Sequence, residues 1–192
     1  MAVINMSFRV GFSNLWVFYV LAYAIAFPLQ IWANNKRGKP FDDPEFLYGD
    51  RKIFPIAMAW LFGGLAISLF VPVHGGAFFY LGLLFYVGGL VLVAAMYYSF
   101  AHHPGLVTTG VHRYSRNPGY VGWAAVMLGL ALMGLSPSVW SLLFVAYFLV
   151  TVFYFHWTVR LEEAFLVGKY GDSYRDYVNS TSRYFSIARG TP

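Results

Sequence analysis

Two stretches of this chain hold most of the side chains able to do chemistry. The first, HHPGLVTTGVHRYSRNPGYVGW (102–123), packs histidines, two arginines and an Asn-Pro step between apolar runs. The second, VRLEEAFLVGKYGDSYRDYVNSTSRYF (159–185), opens on Arg160, Glu162 and Glu163 directly after an apolar helix. Carboxylates in such a place can grip an ammonium through charge-assisted hydrogen bonds. Asn117 can donate and accept hydrogen bonds but cannot titrate near neutral pH. Arg160 and Glu163 are three apart and share a helical face, so an ordinary interfacial salt bridge is the competing reading. His102 and His103 are adjacent and point in different directions on any regular element, which makes them poor metal ligands. No metal site is expected: the chain has no HExxH, no convincing histidine triplet and no cysteine. The same inspection finds no Walker loop, no GxSxG and no GxGxxG, so a soluble Rossmann domain is excluded.

The elements that position these residues are membrane spans. Of 192 residues, 59% are hydrophobic and 11% charged, against about 25% charged in a soluble domain. Apolar runs recur at the length needed to cross ~30 Å of hydrocarbon. The expected fold is an all-α integral membrane protein, one domain over 1–192, with five transmembrane helices at about 15–33, 53–71, 77–98, 119–135 and 139–159. Gly63, Gly64, Gly88, Gly89, Gly129 and Gly134 are expected packing notches between helices. The tail after the fifth span is amphipathic: Leu161, Phe165 and Leu166 keep helical spacing, Gly171 breaks it, and Tyr174 and Tyr177 are three apart. A surface-lying helix would show the same pattern.

Loop lengths alternate, and with five spans all three long segments fall on one side. That side carries every acid and every Lys or Arg except Arg9. The positive-inside rule therefore places the long loops and the C-terminus in the cytoplasm and the N-terminus outside. Met1 to Ser13 lacks the basic start and the cleavage pattern of a signal peptide, so none is expected. The net charge of +5 is spread singly along span edges and interleaved with acids, a pattern of membrane-lipid contact that excludes nucleic acid as a partner. His156 alone among groups ionisable near neutral pH lies well inside a span, and it is read as bonding a neighbouring helix.

Taken together, the two polar stretches resemble the isoprenylcysteine carboxyl methyltransferases and the related phospholipid methyltransferases. The resemblance rests on LVTTGVHRYSRNPGYVGW, where that family has Leu-Val-Thr, Gly, an aromatic and Arg-His-Pro-x-Tyr. It continues through EEAFLVGKYGDSYRDY, where the family has Glu-Glu, an apolar helix, aromatic-Gly and Tyr-x-x-Tyr, and ends at Arg183. It covers roughly Leu106 to Arg183, and the chain is similar to the short prokaryotic members. Asn117 stands where the family has histidine, and His112 where it has tyrosine.

The resemblance implies methyl transfer from S-adenosylmethionine, with S-adenosylhomocysteine as product, to the carboxylate of a lipid-modified small molecule or protein C-terminus. The cofactor-binding part would span 102–183. Glu162 and Glu163 would hold the donor's ammonium. His112, Asn117 and the backbone around Leu106, Val107, Pro118 and Gly119 would hold its carboxylate and ribose. Tyr120 would pack against adenine or the sulfonium. Arg160 would be the catalytic cation that orients the acceptor. The site is expected to face the cytoplasm, in a prokaryotic plasma membrane. A phospholipid or amine N-methyltransferase is the alternative enzyme, and it needs a base to deprotonate its acceptor. The NADPH-dependent sterol reductases look similar at their C-terminus but carry more helices than this chain holds. A non-catalytic lipid-binding scaffold is the alternative outside enzymes.

Overall fold

The computed structural model describes residues 10–38, 53–103 and 105–185. Arg9, most of the first long loop and the last seven residues lie outside them, so part of the charge asymmetry read above has no structural counterpart here. Six helices follow in order: α1 (Trp16–Arg37), α2 (Ile53–Ser68), α3 (Ala77–Ala101), α4 (Pro118–Met133), α5 (Val139–Tyr170) and α6 (Asp172–Ser180). A short 3-10 turn, Gly110–Arg113, sits between α3 and α4.

Three helices, α1, α3 and α5, are long and apolar enough to cross a membrane, and α2 and α4 are shorter apolar helices. Membrane-spanning structure of the multi-pass kind follows. Five apolar helices start where the sequence places them, but α2 and α4 have 16 residues each, about 24 Å at 1.5 Å per residue. That falls short of the ~30 Å hydrocarbon thickness.

The largest departure is at α5, expected to end near residue 159. It runs unbroken for 32 residues, about 48 Å, so its last three turns project beyond any hydrocarbon layer. Nothing in VRLEEAFLV breaks a helix, and the stop comes at Gly171, whose φ of 55° suits a residue without a Cβ. Arg160, Glu162 and Glu163 therefore stand on the continuation of a spanning helix. The amphipathic tail begins only at α6, which buries Tyr174 and Tyr177.

α3 and α4 form the most intimate pair. Along α3 the contact stripe is Gly82, Tyr86, Gly89, Val93 and Met96; along α4 it is Gly119, Gly122, Val126, Gly129 and Met133. Both stripes advance by alternating steps of three and four, the seam of a coiled coil. Gly89 meets Gly122 and Gly82 meets Gly129, which makes the helices antiparallel. A Cβ added at Gly89 would lie 2.5 Å from the Gly122 carbonyl oxygen. In hydrocarbon there is no hydrophobic drive between helices, so such close approach gains dispersion that larger residues would forbid. Of the glycines read as notches, Gly64, Gly89, Gly129 and Gly134 are tightly packed, whereas Gly63 and Gly88 meet open space. Each pair thus contributes one working notch, because neighbours on a helix lie about 100° apart.

The two ends of the bundle are built differently. At one, the Leu15 N–H donates to the Val71 carbonyl at 2.8 Å and the Asn14 amide to Leu69 at 2.6 Å, while Gly134 packs on Val71 and Leu15. At the other, the end of α1, the end of α3, the start of α4 and the projecting part of α5 converge. That convergence is the long-loop side.

Candidate functional site

Two histidines first shape the loop that follows α3. The Nδ1 atoms of His102 and His103 lie 2.8 and 2.9 Å from the carbonyls of Tyr98 and Ser99. They donate to those carbonyls in the last turn of α3, where the intrahelical bonds run out. The His103 Nε2 lies 3.1 Å from the Thr109 hydroxyl. These side chains cap a helix and fix the loop.

Beyond them, loop 105–117 is zipped to the tail. The Arg116 N–H donates to the Ser182 carbonyl at 3.1 Å, and the Ser115 hydroxyl to Arg183 at 3.2 Å. The Tyr177 hydroxyl donates to the His112 carbonyl at 2.6 Å. Behind this seam lies an ion cluster centred on Glu163. Arg116 reaches its Oε1 through two nitrogens at 3.0 and 3.1 Å, and Asn117 Nδ2 donates to the same oxygen at 3.1 Å. Arg183 holds Oε2 at 2.8 and 3.0 Å. The third Arg116 nitrogen donates to the carbonyls of Val178 and Thr181, closing the end of α6. A buried carboxylate is tolerated only with such complete pairing.

Against this wall lies a cavity of about 310 Å³, within the range of small-molecule sites. Of the residues singled out in the sequence, Leu106, Val107, His112, Asn117, Pro118, Gly119, Tyr120 and Glu162 line it. Tyr120 stands edge-on to Phe155, with ring centroids 5.5 Å apart. His112 is 3% exposed, and its Nδ1 is buried without a hydrogen-bond partner. Burial, with the nearby His103 and Arg37 charges, pushes its pKa down to about 4, so at neutral pH the ring is uncharged.

Two expected site residues stand apart. Glu163 is outside the cavity wall, committed to Arg116, Asn117 and Arg183, because one residue along the helix turns its side chain about 100° from Glu162. Arg160 is exposed, makes no ion pair with any described residue and is not among the lining residues. The Arg160–Glu163 bridge considered from their spacing does not form. His156, on the outer side of α5, lies 2.7 Å from the Tyr184 hydroxyl, so its partner is the tail rather than a neighbouring spanning helix.

Residues 75–173, more than half of the chain, match the phospholipid methyltransferase family. The chain belongs to that family. Over 72 residues it is 42% identical to a protein-S-isoprenylcysteine O-methyltransferase of Schizosaccharomyces pombe, covering 38% of this chain and 29% of that protein. Over 72 residues it is 35% identical to a protein of the same name from Tribolium castaneum, covering 38% of this chain and 24% of that protein. The chain thus spans less than a third of the curated relatives it matches. No solved structure matches.

The family match covers α3, α4 and α5 but not the whole cavity. Gln30, Asn34 and Arg37 of α1 also line it, as do Tyr174 and Tyr177 of α6. Sequence reasoning passed over all five as wall residues, and over Arg116. A signal for the first three was present. They are spaced four and three apart, so they form one polar stripe along the helix. Arg116 carried no signal beyond its charge, because its partner Glu163 is 47 residues away.

Proposed function

We propose that this member of the family is an S-adenosylmethionine-dependent methyltransferase acting at the cytoplasmic membrane face on the carboxylate of a lipid-borne acceptor, such as a C-terminal prenylcysteine. The observation that carries the reading is the convergence of Leu106, Val107, His112, Asn117 to Tyr120 and Glu162, far apart in sequence, on one cavity. The printed activity of the two relatives supports the acceptor class.

The residues present fit the donor. Its ammonium suits Glu162, and its carboxylate suits the start of α4, where the first-turn N–H groups have no carbonyl one turn earlier. The orphaned His112 Nδ1 offers a neutral hydrogen-bonding group beside them. Tyr120 and Trp123 line the same space and supply aromatic faces for adenine or the sulfonium. When bound, the donor supplies a methyl group on a positively charged sulfur. A carboxylate acceptor is already ionised at neutral pH, so the chain's task is alignment and exclusion of water. Orientation of this kind supplies about 7–11 kcal/mol of a barrier. His112, with its pKa near 4, and Asn117, which cannot titrate, are poorly suited to deprotonate an amine. That favours the carboxylate. The family's own description favours a second reading, methylation of a phospholipid amine.

Calorimetry with S-adenosylhomocysteine on the purified chain tests the donor site. Wild type is expected to bind and Glu162→Gln to bind about tenfold more weakly, as for loss of one charge-assisted bond. Equal affinities would remove the assignment of Glu162, and no binding by wild type would remove the function. Radiolabelled methyl transfer to a prenylcysteine analogue, against phosphatidylethanolamine, separates the two acceptors.

A further inference from the structure

One face of α5 stays uncovered along much of its length, and it changes character once. Leu142, Leu149 and Phe153 are exposed on it by 53, 55 and 77%. Three or four residues further along the same face follow His156, Trp157 and Arg160, all exposed. The apolar part is what a helix shows to lipid tails. From Val139, where α5 starts, twenty residues at about 1.5 Å each cross the ~30 Å hydrocarbon layer, which brings its edge to about residue 158. His156, Trp157 and Arg160 therefore stand within a turn of that edge, at the depth of the lipid phosphates, where Trp and basic residues collect.

Positive charge on this face has no counter-ion among the described residues. Arg160 pairs with none of them. The carboxylates that follow it in sequence point elsewhere: Glu162 lines the cavity and Glu163 is held by Arg116 and Arg183. Beside Arg160 the tail returns to the membrane edge. The Tyr184 hydroxyl lies 2.7 Å from His156 Nδ1, and the Ser182 hydroxyl donates to the Phe185 carbonyl in a turn that leaves Phe185 79% exposed. With Nδ1 taken by Tyr184, the His156 ring meets a ligand through Nε2, which bonds no described residue. The Arg160 guanidinium and this imidazole are one helical turn apart, between the exposed rings of Phe153 and Trp157. A guanidinium fork matches the oxygens of a phosphodiester, and the flanking rings suit the start of an acyl chain. We propose that Arg160 and His156, the latter held by Tyr184, form a binding site for the phosphate of an anionic phospholipid at the membrane edge. The site lies outside the cavity and does not depend on the methyl-transfer reading.

Native mass spectrometry of the full chain in detergent, with equal amounts of phosphatidylglycerol and phosphatidylcholine, reads the preference directly. Wild type is expected to retain phosphatidylglycerol over phosphatidylcholine by about tenfold, the scale of one charge-assisted contact. R160Q should bring the ratio close to one, R160K should keep most of it, and H156A should lower it about threefold. Arg160 is exposed and has no described partner to lose, so R160Q should unfold in phosphatidylcholine at the wild-type temperature. Lys36, exposed in the last turn of α1, is the control for diffuse attraction between basic residues and anionic lipid, and K36Q should leave the ratio unchanged. No preference in wild type overturns the proposal, as does a preference that survives R160Q. An equal loss in K36Q also overturns it, because the attraction would then belong to the whole surface. A ratio untouched by H156A overturns the two-group site.

Discussion

The two ends of this helix bundle solve the same problem by opposite means. At the Leu15–Val71–Gly134 end, neutral polar groups satisfy one another, both within the Ser136–Ser141 turn and between Asn14–Leu15 and Leu69–Val71. Ser138 accepts from the Ser141 N–H, and the Ser141 hydroxyl donates to the Gly134 carbonyl at 2.6 Å. Among the described residues no ion pair lies there. At the other end the chain holds a cavity open, and its polar groups are satisfied across long sequence separations. Glu163 gathers Arg116, Asn117 and Arg183. The difference is what a binding site requires: a wall that stands without collapsing has to be braced from outside the cavity.

Breaking the brace should have the largest effect. Glu163→Ala leaves the buried Arg116 without its carboxylate, and removing one partner of a buried pair costs about 3–5 kcal/mol. Thermal unfolding in detergent should show that loss, together with loss of S-adenosylhomocysteine binding. A change below about 1 kcal/mol would make the cluster ornamental.

Acid should weaken the same end next. The folded state keeps His112 neutral, with its pKa pushed down to about 4 from 6.5, so the unfolded chain takes up the proton first. Stability is therefore full above about pH 6.5 and falls as pH drops toward 4, by up to roughly 3 kcal/mol. Unfolding followed across that window in wild type and His112→Asn checks it, since the variant should lose this part of the slope.

Between the ends, the α3–α4 seam sharpens the comparison. Gly89→Leu should cost about 1–3 kcal/mol through overpacking, whereas Gly88→Leu, meeting open space, should stay within about 0.5 kcal/mol. Equal effects of the two would contradict the antiparallel register. The smallest effect belongs to the closed end. Ser138→Ala removes the cap of α5 and should cost about 1 kcal/mol with S-adenosylhomocysteine affinity unchanged. A fall in affinity there would show that the two ends are coupled.

The helices were legible because apolar runs and their breakers are local. The starts at Ala77 and Val139 follow from Pro- and Gly-bearing turns, and the stop of α5 at Gly171 from its φ of 55°. The helix that carries the fifth span runs past residue 159 because charge marks where a hydrocarbon layer ends, while backbone chemistry marks where a helix ends. Part of the cavity wall was legible too: Leu106, Val107, His112, Asn117 to Tyr120 and Glu162 are held in two dense polar stretches. Glu163 and Glu162 were indistinguishable as letters. One faces the cavity and the other an ion cluster, and only the helix phase relative to α4 and the tail separates them.

By itself, then, the sequence determined the class of molecule, the number and starts of its apolar helices, and the two segments that make most of the site. These depend on composition and on residues a turn or two apart. The tertiary structure alone decided which of the two carboxylates lines the cavity, that Arg160 stands outside the wall, and that α1 contributes Gln30, Asn34 and Arg37. Each of those depends on how helices rotate about their axes when packed. That rotation is set by contacts such as Gly89 on Gly122, between residues that no local pattern links.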